Sequence, residues 1–384
     1  MSIFTQLLSF KKKLETPFET LNKIHISKEA ILNNFDLIKN LNPEYSIFPV
    51  LKSNAYWHWI KEIAKILNER NIDYIVVDSY FEALKVREVN KTSILLIGYT
   101  LPQNLKNMDF RFVSLVVYDL ETIHELWRIW KNVKIHLKID TWMNRQWIFI
   151  EQIKDFISEI KKYPGITLEW ICTHLADADN SENSYSKLQI EKFNKAIEII
   201  EQSWIILKYK HLSNSAWWIK FGKNEFNALR LWISLYWINP LEKNDHDYEK
   251  LENLKLALNF ESTLILRKEL KKWEKVSYNW TFTAQKDMTI GIVPVWYYEW
   301  LSRKLSSNYS FSYKSMLLPI LWRICMNLSI VDLWENNINI GDKINIISSN
   351  KNELNNIYWL AEKSETITYE CLVKLAESIR RVII

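Results

Sequence analysis

Glycine is nearly missing from this chain, with 5 residues in 384 against an average share of about 7%. A folded chain of this length needs glycine where the backbone takes a positive φ or passes close to a neighbour. Tryptophan is correspondingly abundant, at 19 residues. Either the protein manages without glycine, or some tryptophan letters do not stand for tryptophan. Cysteine is scarce too: Cys172, Cys325 and Cys371 are far apart and form no CxxC pair, which argues against a zinc site or a disulfide framework. No run of about 18 apolar residues occurs, so nothing reads as a membrane span. The opening MSIFTQLLSFKKKLE puts its apolar residues before its charges, the reverse of a secretion signal. The expected compartment is therefore the cytoplasm. A net charge of +5 is small for the length, and no basic stripe interleaves with aromatics, so nothing points to nucleic acid. The run Lys11, Lys12, Lys13 reads as a solvated helix face.

What is present reads as a soluble globular chain, 48% apolar and 25% charged, long enough for two or more domains. Eight short apolar runs cover 46–52, 74–79, 93–98, 113–119, 133–140, 168–174, 209–215 and 227–232. Amphipathic stretches such as WIKEIAKILNER and SKLQIEKFNKAIEIIEQ separate them. Apolar strands alternating with helices argue for parallel βα units, and eight such units make a (β/α)8 TIM barrel. An earlier run, KIHIS at 23–27, is not expected to be a barrel strand. From about residue 256 the texture turns strand-like, through FESTLILRKEL, TFTAQ, MTIGIVPV, MLLPILWRICMNLSIVDL and DKINIISSN. The closing YECLVKLAESIRRV reads as helix. The expected fold class is α/β, with a barrel over 21–250 followed by a mostly β domain over 251–384, with which residues 1–20 can associate.

Active-site residues of such barrels stand at the C-terminal ends of the strands. Those ends carry Lys52, Arg145 after a loop, His174, Asn214 with Ser215, and Arg230. Each has a plain reading when taken alone. Lys52 is a snorkelling lysine, His174 a structural histidine, and Asp177 with Asp179 a capped turn rather than a metal site.

The joint pattern says more. FPVLKSNAYWHW resembles the cofactor-lysine motif of alanine racemases, usually VVKANAYGHG, and KIDTWMNRQW resembles that family's KVDTGMNRLG. THLADAD, HLSNSAWW, ALRLWISLYW, KVSYNWTFTAQ, VPVWYYEWLSRKLS, LWRICMN and TITYE resemble further blocks, in family order and across most of the chain. The resemblance implies a pyridoxal 5'-phosphate enzyme that interconverts L-alanine and D-alanine for peptidoglycan, acting as a homodimer with shared active sites. It implies Lys52 as the Schiff-base lysine and one catalytic base, and Tyr278 as the base on the opposite face. Tyr56, Asn214, Ser215, Trp232, the backbone at Ile233, and Tyr369 correspond to cofactor and phosphate contacts. Arg230 corresponds to the group facing the pyridine nitrogen, with His174 behind it. Arg145 and the backbone of Met326 correspond to substrate-carboxylate contacts. Lys138 matches a lysine often carbamylated in the family, where it positions the arginine equivalent to Arg145. Asn327 departs from an aspartate found in many members. No metal is implied.

The chemistry is coherent on general grounds. The cofactor withdraws electrons from Cα, so one base on each face suffices to remove and return the proton. An arginine at the ring nitrogen keeps its own protons, since its pKa exceeds about 12. Three alternatives stand beside this reading. One is a racemase of the same fold for serine, lysine or another amino acid. Another is a non-catalytic cofactor-binding barrel, against which the β domain argues. The third is a decarboxylase on a related barrel, which would carry a catalytic cysteine in a different motif from RICMN.

Where the chain departs from these blocks, it departs in one way. Trp57, Trp59, Trp142, Trp147, Trp217, Trp218, Trp232, Trp237, Trp280, Trp296, Trp300, Trp322 and Trp334 stand where the family places or tolerates glycine. Reading every Trp as Gly brings glycine to about 6% of the chain, an ordinary share. The expectation is that UGA codons, read as glycine by the source organism, have been written as tryptophan.

Overall fold

A computed structural model describes residues 19–384, apart from 42, 177–183, 213–218, 220–225, 242–244, 277–279, 281, 322 and 335. The chain divides into two compact units. One comprises Ile26–Leu258 with Thr368–Val373 and Ile383–Ile384; the other comprises the start of the chain, Asn259–Ile367 and Lys374–Val382.

The first unit alternates strands and helices. After β1 (Lys23–Ile26) and α1 (Lys28–Leu41) come β2 (Ser46–Pro49), α2 (Ile60–Ile66), β3 (Tyr74–Val77), α3 (Tyr80–Arg87), β4 (Ser93–Leu96) and β5 (Val113–Val117). Then follow α4 (Leu120–Arg128), β6 (Val133–Lys138), α5 (Ile153–Lys161), β7 (Ile166–Cys172), α6 (Ser184–Glu201), β8 (Tyr209–His211) and β9 (Ala228–Leu231). Every one of the eight apolar runs read from the sequence overlaps one of the strands β2–β9. All four residues of β3 are buried, as a strand covered on both faces requires. Helices α3 and α4 start directly after their strands because a capping residue waits there. Ser79 Oγ accepts the Glu82 N–H at the start of α3, and Asp119 accepts the Thr122 N–H at 2.7 Å at the start of α4.

The eight strands form a parallel ring. Strands β3 to β8 pair in sequence order, and β2 pairs with β9 in the register Phe48↔Arg230. The Val50↔Val76 bridge joins β2 to β3, where the Leu51 N–H donates to the Val76 carbonyl at 2.8 Å. On the other side, the Lys210 N–H donates to Asn227 Oδ1 at 2.9 Å, and the Ser46 N–H donates to the Asn227 carbonyl at 3.0 Å. Phe48, Val50, Tyr74, Val76, Leu95, Val116, Trp170 and Tyr209 fill the interior. Each such buried side chain contributes about 1.5–3 kcal/mol.

The second unit is mostly β. Its strands are β10 (Leu258–Thr263), β11 (Leu266–Leu270), β12 (Lys275–Val276), β13 (Phe282–Thr283), β14 (Met288–Val293), β15 (Ser310–Tyr313), β16 (Met316–Pro319), β17 (Ser329–Asp332) and β18 (Lys343–Ile347). Helix α7 (Ile357–Lys363) follows, then β19 (Arg380–Ile383), while α8 (Thr368–Val373), between them in sequence, belongs to the first unit. One sheet runs β16-β15-β18-β10-β1-β19 and another β11-β14-β17. Leu270, Val276, Ala284 and Ile290 form a core against which Cys325 packs, a packing role rather than an exposed nucleophile's. KIHIS is thus a strand of this sheet and not of the barrel.

The sequence expectation fails at the tail. Helix α8 ends at Val373, and the residues read as helix beyond it include β19. RRVI is too short to carry a helical period and is rich enough in β-branched residues to pair as an edge strand beside β1.

Candidate active site

The site lies where the strands of the ring end. Lys52 follows β2, Asp78 follows β3, Ile97 follows β4, and Lys138 ends β6. Cys172 ends β7, with Thr173 and His174 next. His211 ends β8, and Arg230 with Trp232 comes from β9 and its exit. Together with Val116, Arg145, Gln146 and Trp147 they line one cavity of about 300 Å³.

Lys52 is followed by a strained piece of backbone. Ser53, Asn54, Ala55, Tyr56 and Trp57 all have positive φ, between 49° and 67°, so the chain makes a left-handed turn at residues that carry Cβ atoms. Each such residue costs about 1–2 kcal/mol. Specific bonds hold the turn. The Glu82 carboxylate accepts from the Asn54 N–H and the Asp78 N–H, both at 3.0 Å. Asn54 Oδ1 accepts the Ile60 N–H at 3.0 Å and so ties the turn to the start of α2. Strain of this kind persists where the surroundings over-determine it.

The site is cationic. Burial lowers the pKa of Lys52, with Arg145 opposing its charge as well and Asp78 partly offsetting both. Burial takes Lys138 down to about 8. A lysine so shifted holds a neutral amine more readily. Arg230 is 4% exposed, and burial lowers its pKa too. Its Nη1 lies 2.5 Å from His211 Nδ1 and 3.0 Å from the His211 carbonyl, and its Nη2 donates to the Thr173 carbonyl at 3.0 Å and to His174 Nδ1 at 3.3 Å. Behind this, His211 Nε2 lies 3.4 Å from His136 Nδ1. Burial, seconded by Arg230, drives all three histidines well below the ordinary value, so they stay neutral, and His174 and His211 accept from the guanidinium.

Tyr56 is buried, its ring 5.5 Å from that of Tyr236 and 6.2 Å from that of Tyr369. Burial pushes its hydroxyl well above the usual tyrosine value, which keeps it a donor. Ile233 opens the turn Ile233–Tyr236 and is 1% exposed. The sequence reading therefore brings Lys52, Lys138, Arg145, His174, Arg230 and Trp232 to one cavity. Asn214, Ser215 and Tyr278 lie outside the described residues. Met326, 64% exposed, and Asn327 belong to the β unit. Sequence reasoning passed over His211, although it sits in the quoted HLSNSAWW block, and also His136, Glu82 and Asp78.

These residues fit an anionic, amine-reactive cofactor. Lys52 offers a desolvated amine, Arg230 a fixed guanidinium, and Tyr56 a protonated hydroxyl. A parallel barrel armed in this way, with a β domain after it, defines a class of amino-acid-transforming barrel enzymes.

The comparisons narrow the class. The alanine racemase N-terminal domain model matches residues 26–240 and the C-terminal domain model residues 257–383. The alanine racemase of Methanococcus maripaludis is 31% identical, covering 93% of this chain and 97% of its own. That of Leptospira interrogans is 33% identical, covering 94% and 95%. The solved alanine racemase of Clostridium difficile 630 superimposes with a TM-score of 0.88 at 26% identity, covering 96% of each chain. The Bacillus anthracis alanine racemase with bound L-Ala-P superimposes at 0.86, also with 26% identity and 96% of each chain. The chain belongs to the alanine racemase family.

Proposed function

We propose that this chain interconverts L-alanine and D-alanine with pyridoxal 5'-phosphate, as a cytoplasmic homodimer whose active sites are shared between subunits. The observation that carries the reading is the convergence of Lys52, Arg145 and Arg230 at the strand ends of a barrel in an alanine racemase chain. When bound, the cofactor withdraws electrons from the substrate's Cα and so lets its proton leave. Lys52 anchors it and, with its pKa lowered by burial, its amine takes and returns a proton on one face. Tyr278 serves the other face. Arg230 would face the ring nitrogen and keep its own proton. Tyr56 and Tyr369 would hold the phosphate, with Asn214, Ser215 and the backbone at Trp232 and Ile233. Arg145 and the backbone of Met326 hold the substrate carboxylate, and a carbamate on Lys138 would position Arg145.

The test is loss of optical activity with L-alanine, L-serine and L-lysine, using protein from its own cells. Alanine should turn over fastest. Faster turnover of serine or lysine overturns the substrate, and cofactor binding without any racemisation favours a non-catalytic barrel. For shared sites, mixing Lys52→Ala and Tyr278→Ala subunits should restore activity through hybrid dimers. No recovery despite proven subunit exchange removes that part of the reading.

A further inference from the structure

We infer that the functional protein carries glycine at twelve positions where this sequence is written with tryptophan, and that the Lys52 pocket takes its working shape only then. The backbone carries this independently of any resemblance. Trp57, Trp59, Trp130, Trp142, Trp204, Trp237, Trp273, Trp280, Trp300 and Trp334 all have φ between 52° and 90°. That is ten of the sixteen tryptophans among the described residues. Non-glycine residues take positive φ only a few per cent of the time, and bulky ones are outliers there. The other aromatics supply a control. Among the described residues no phenylalanine has positive φ, and Tyr56 is the single tyrosine that does. A general tolerance for aromatic side chains would have spread over all three types.

The local structure says the same. Trp57, Trp237 and Trp300 each close a helical turn in the left-handed conformation, the place where helices end on glycine. Trp59, at φ 65° and ψ 103°, lies outside even the small left-handed basin open to other residues. Trp204 and Trp130 expose 94% and 81% of their surface, although tryptophan is ordinarily well buried. Such indoles bury little of their surface, whereas the backbone turn beneath them is specific.

Two further tryptophans obstruct the site itself. The Trp232 ring sits 4.6 Å from Lys52 Nζ and 5.6 Å from the His174 ring. The Trp147 ring sits 4.0 Å from Lys138 Nζ. The Nε1 atoms of both are buried with no hydrogen-bond partner, an arrangement that native sites rarely keep. Glycine at 232 and 147 removes both orphaned donors and both rings, and leaves Lys52, Lys138, Arg230 and His174 facing open space. One cause accounts for all the positions together: UGA codons read as glycine, since UGA differs from a glycine codon by its first base.

The test is peptide mass spectrometry of the protein from its own cells. The tryptic peptides Ser53–Lys61 and Leu231–Lys243 should carry glycine at 57, 59, 232 and 237. Tryptophan at those positions overturns the inference, whatever reaction the protein catalyses. A second measurement compares recombinant chains, one as written and one with glycine at positions 57, 59, 130, 142, 147, 204, 232, 237, 273, 280, 300 and 334. The glycine chain should unfold cooperatively at the higher denaturant concentration and, after borohydride reduction, carry a permanent pyridoxal 5'-phosphate adduct on Lys52. Its affinity for the cofactor should be at least tenfold higher. Equal or better stability and binding by the chain as written would overturn the inference equally.

Discussion

One guanidinium nitrogen of Arg230 lies 2.5 Å from Nδ1 of His211. Arginine only donates, so Nδ1 must accept and the proton of the neutral ring sits on Nε2. Nε2 then donates to His136 Nδ1 at 3.4 Å, which places the His136 proton on its own Nε2. A single cation therefore sets the tautomers of two histidines in series.

His211→Phe should leave Arg230 Nη1 with only a carbonyl on that side. Removing a buried partner costs about 1–3 kcal/mol, to be read as a lower denaturant midpoint at unchanged slope. His211→Gln restores an acceptor and should recover most of the loss. Equal losses in both variants would mean that packing, not the hydrogen bond, is what His211 supplies.

Lys138 makes stability depend on alkaline pH. Its pKa falls from 10.5 to about 8 in the folded chain. Between those values the unfolded chain binds the proton and the folded one does not, so stability rises with pH across that window. Below about 8 the folded chain carries the buried charge and the full penalty. Lys138→Met should remove this slope, worth at most about 3 kcal/mol. Urea melts of the cofactor-free protein and the variant from pH 7.5 to pH 10.5 measure the difference. Parallel curves would refute the assignment.

Glu82 holds the left-handed turn after Lys52. Glu82→Ala strips the acceptor from both the Asn54 and Asp78 N–H groups. The expected loss is about 2–3 kcal/mol, with hydrogen exchange at Asn54 and Asp78 rising together. Exchange that rises at Asp78 alone would show that the turn stands without its clamp.

Tyr278→Phe keeps the ring and removes the ionisable hydroxyl. Racemisation should fall about 10²–10⁴-fold, and in both directions, because the two enantiomers are equal in energy. The asymmetry belongs to partial reactions. Exchange of the Cα proton of D-alanine with deuterated solvent should survive through Lys52, while exchange from L-alanine should collapse. Equal loss from both enantiomers would point to a single base.

The barrel was legible because its strands are apolar on both faces and end on polar residues, so each run marks both a strand and a site position. Lys52 and Arg230 stood out as cations closing apolar strands. His211 and His136 did not, because a buried histidine becomes meaningful only through the guanidinium beside it, and that neighbour comes from another strand. Glu82 reads as an ordinary first-turn acid of α3, and its reach to Asn54 depends on a left-handed turn that nothing in SNAY announces. The tail misled because a strand of four residues at a sheet edge is specified by its partner β1 more than by its own pattern.

That partner has a timing problem. Strand β1 leaves the ribosome before the barrel, yet its neighbours β10 and β19 lie beyond the whole barrel. At about 5–20 residues per second of synthesis, β1 waits on the order of ten to fifty seconds with both edges unpaired. During that interval it is an open template for any extended segment, including the same strand of another nascent chain. A fragment cut after β9 would keep that exposure permanently, so the first unit, expressed alone, is best begun after β1.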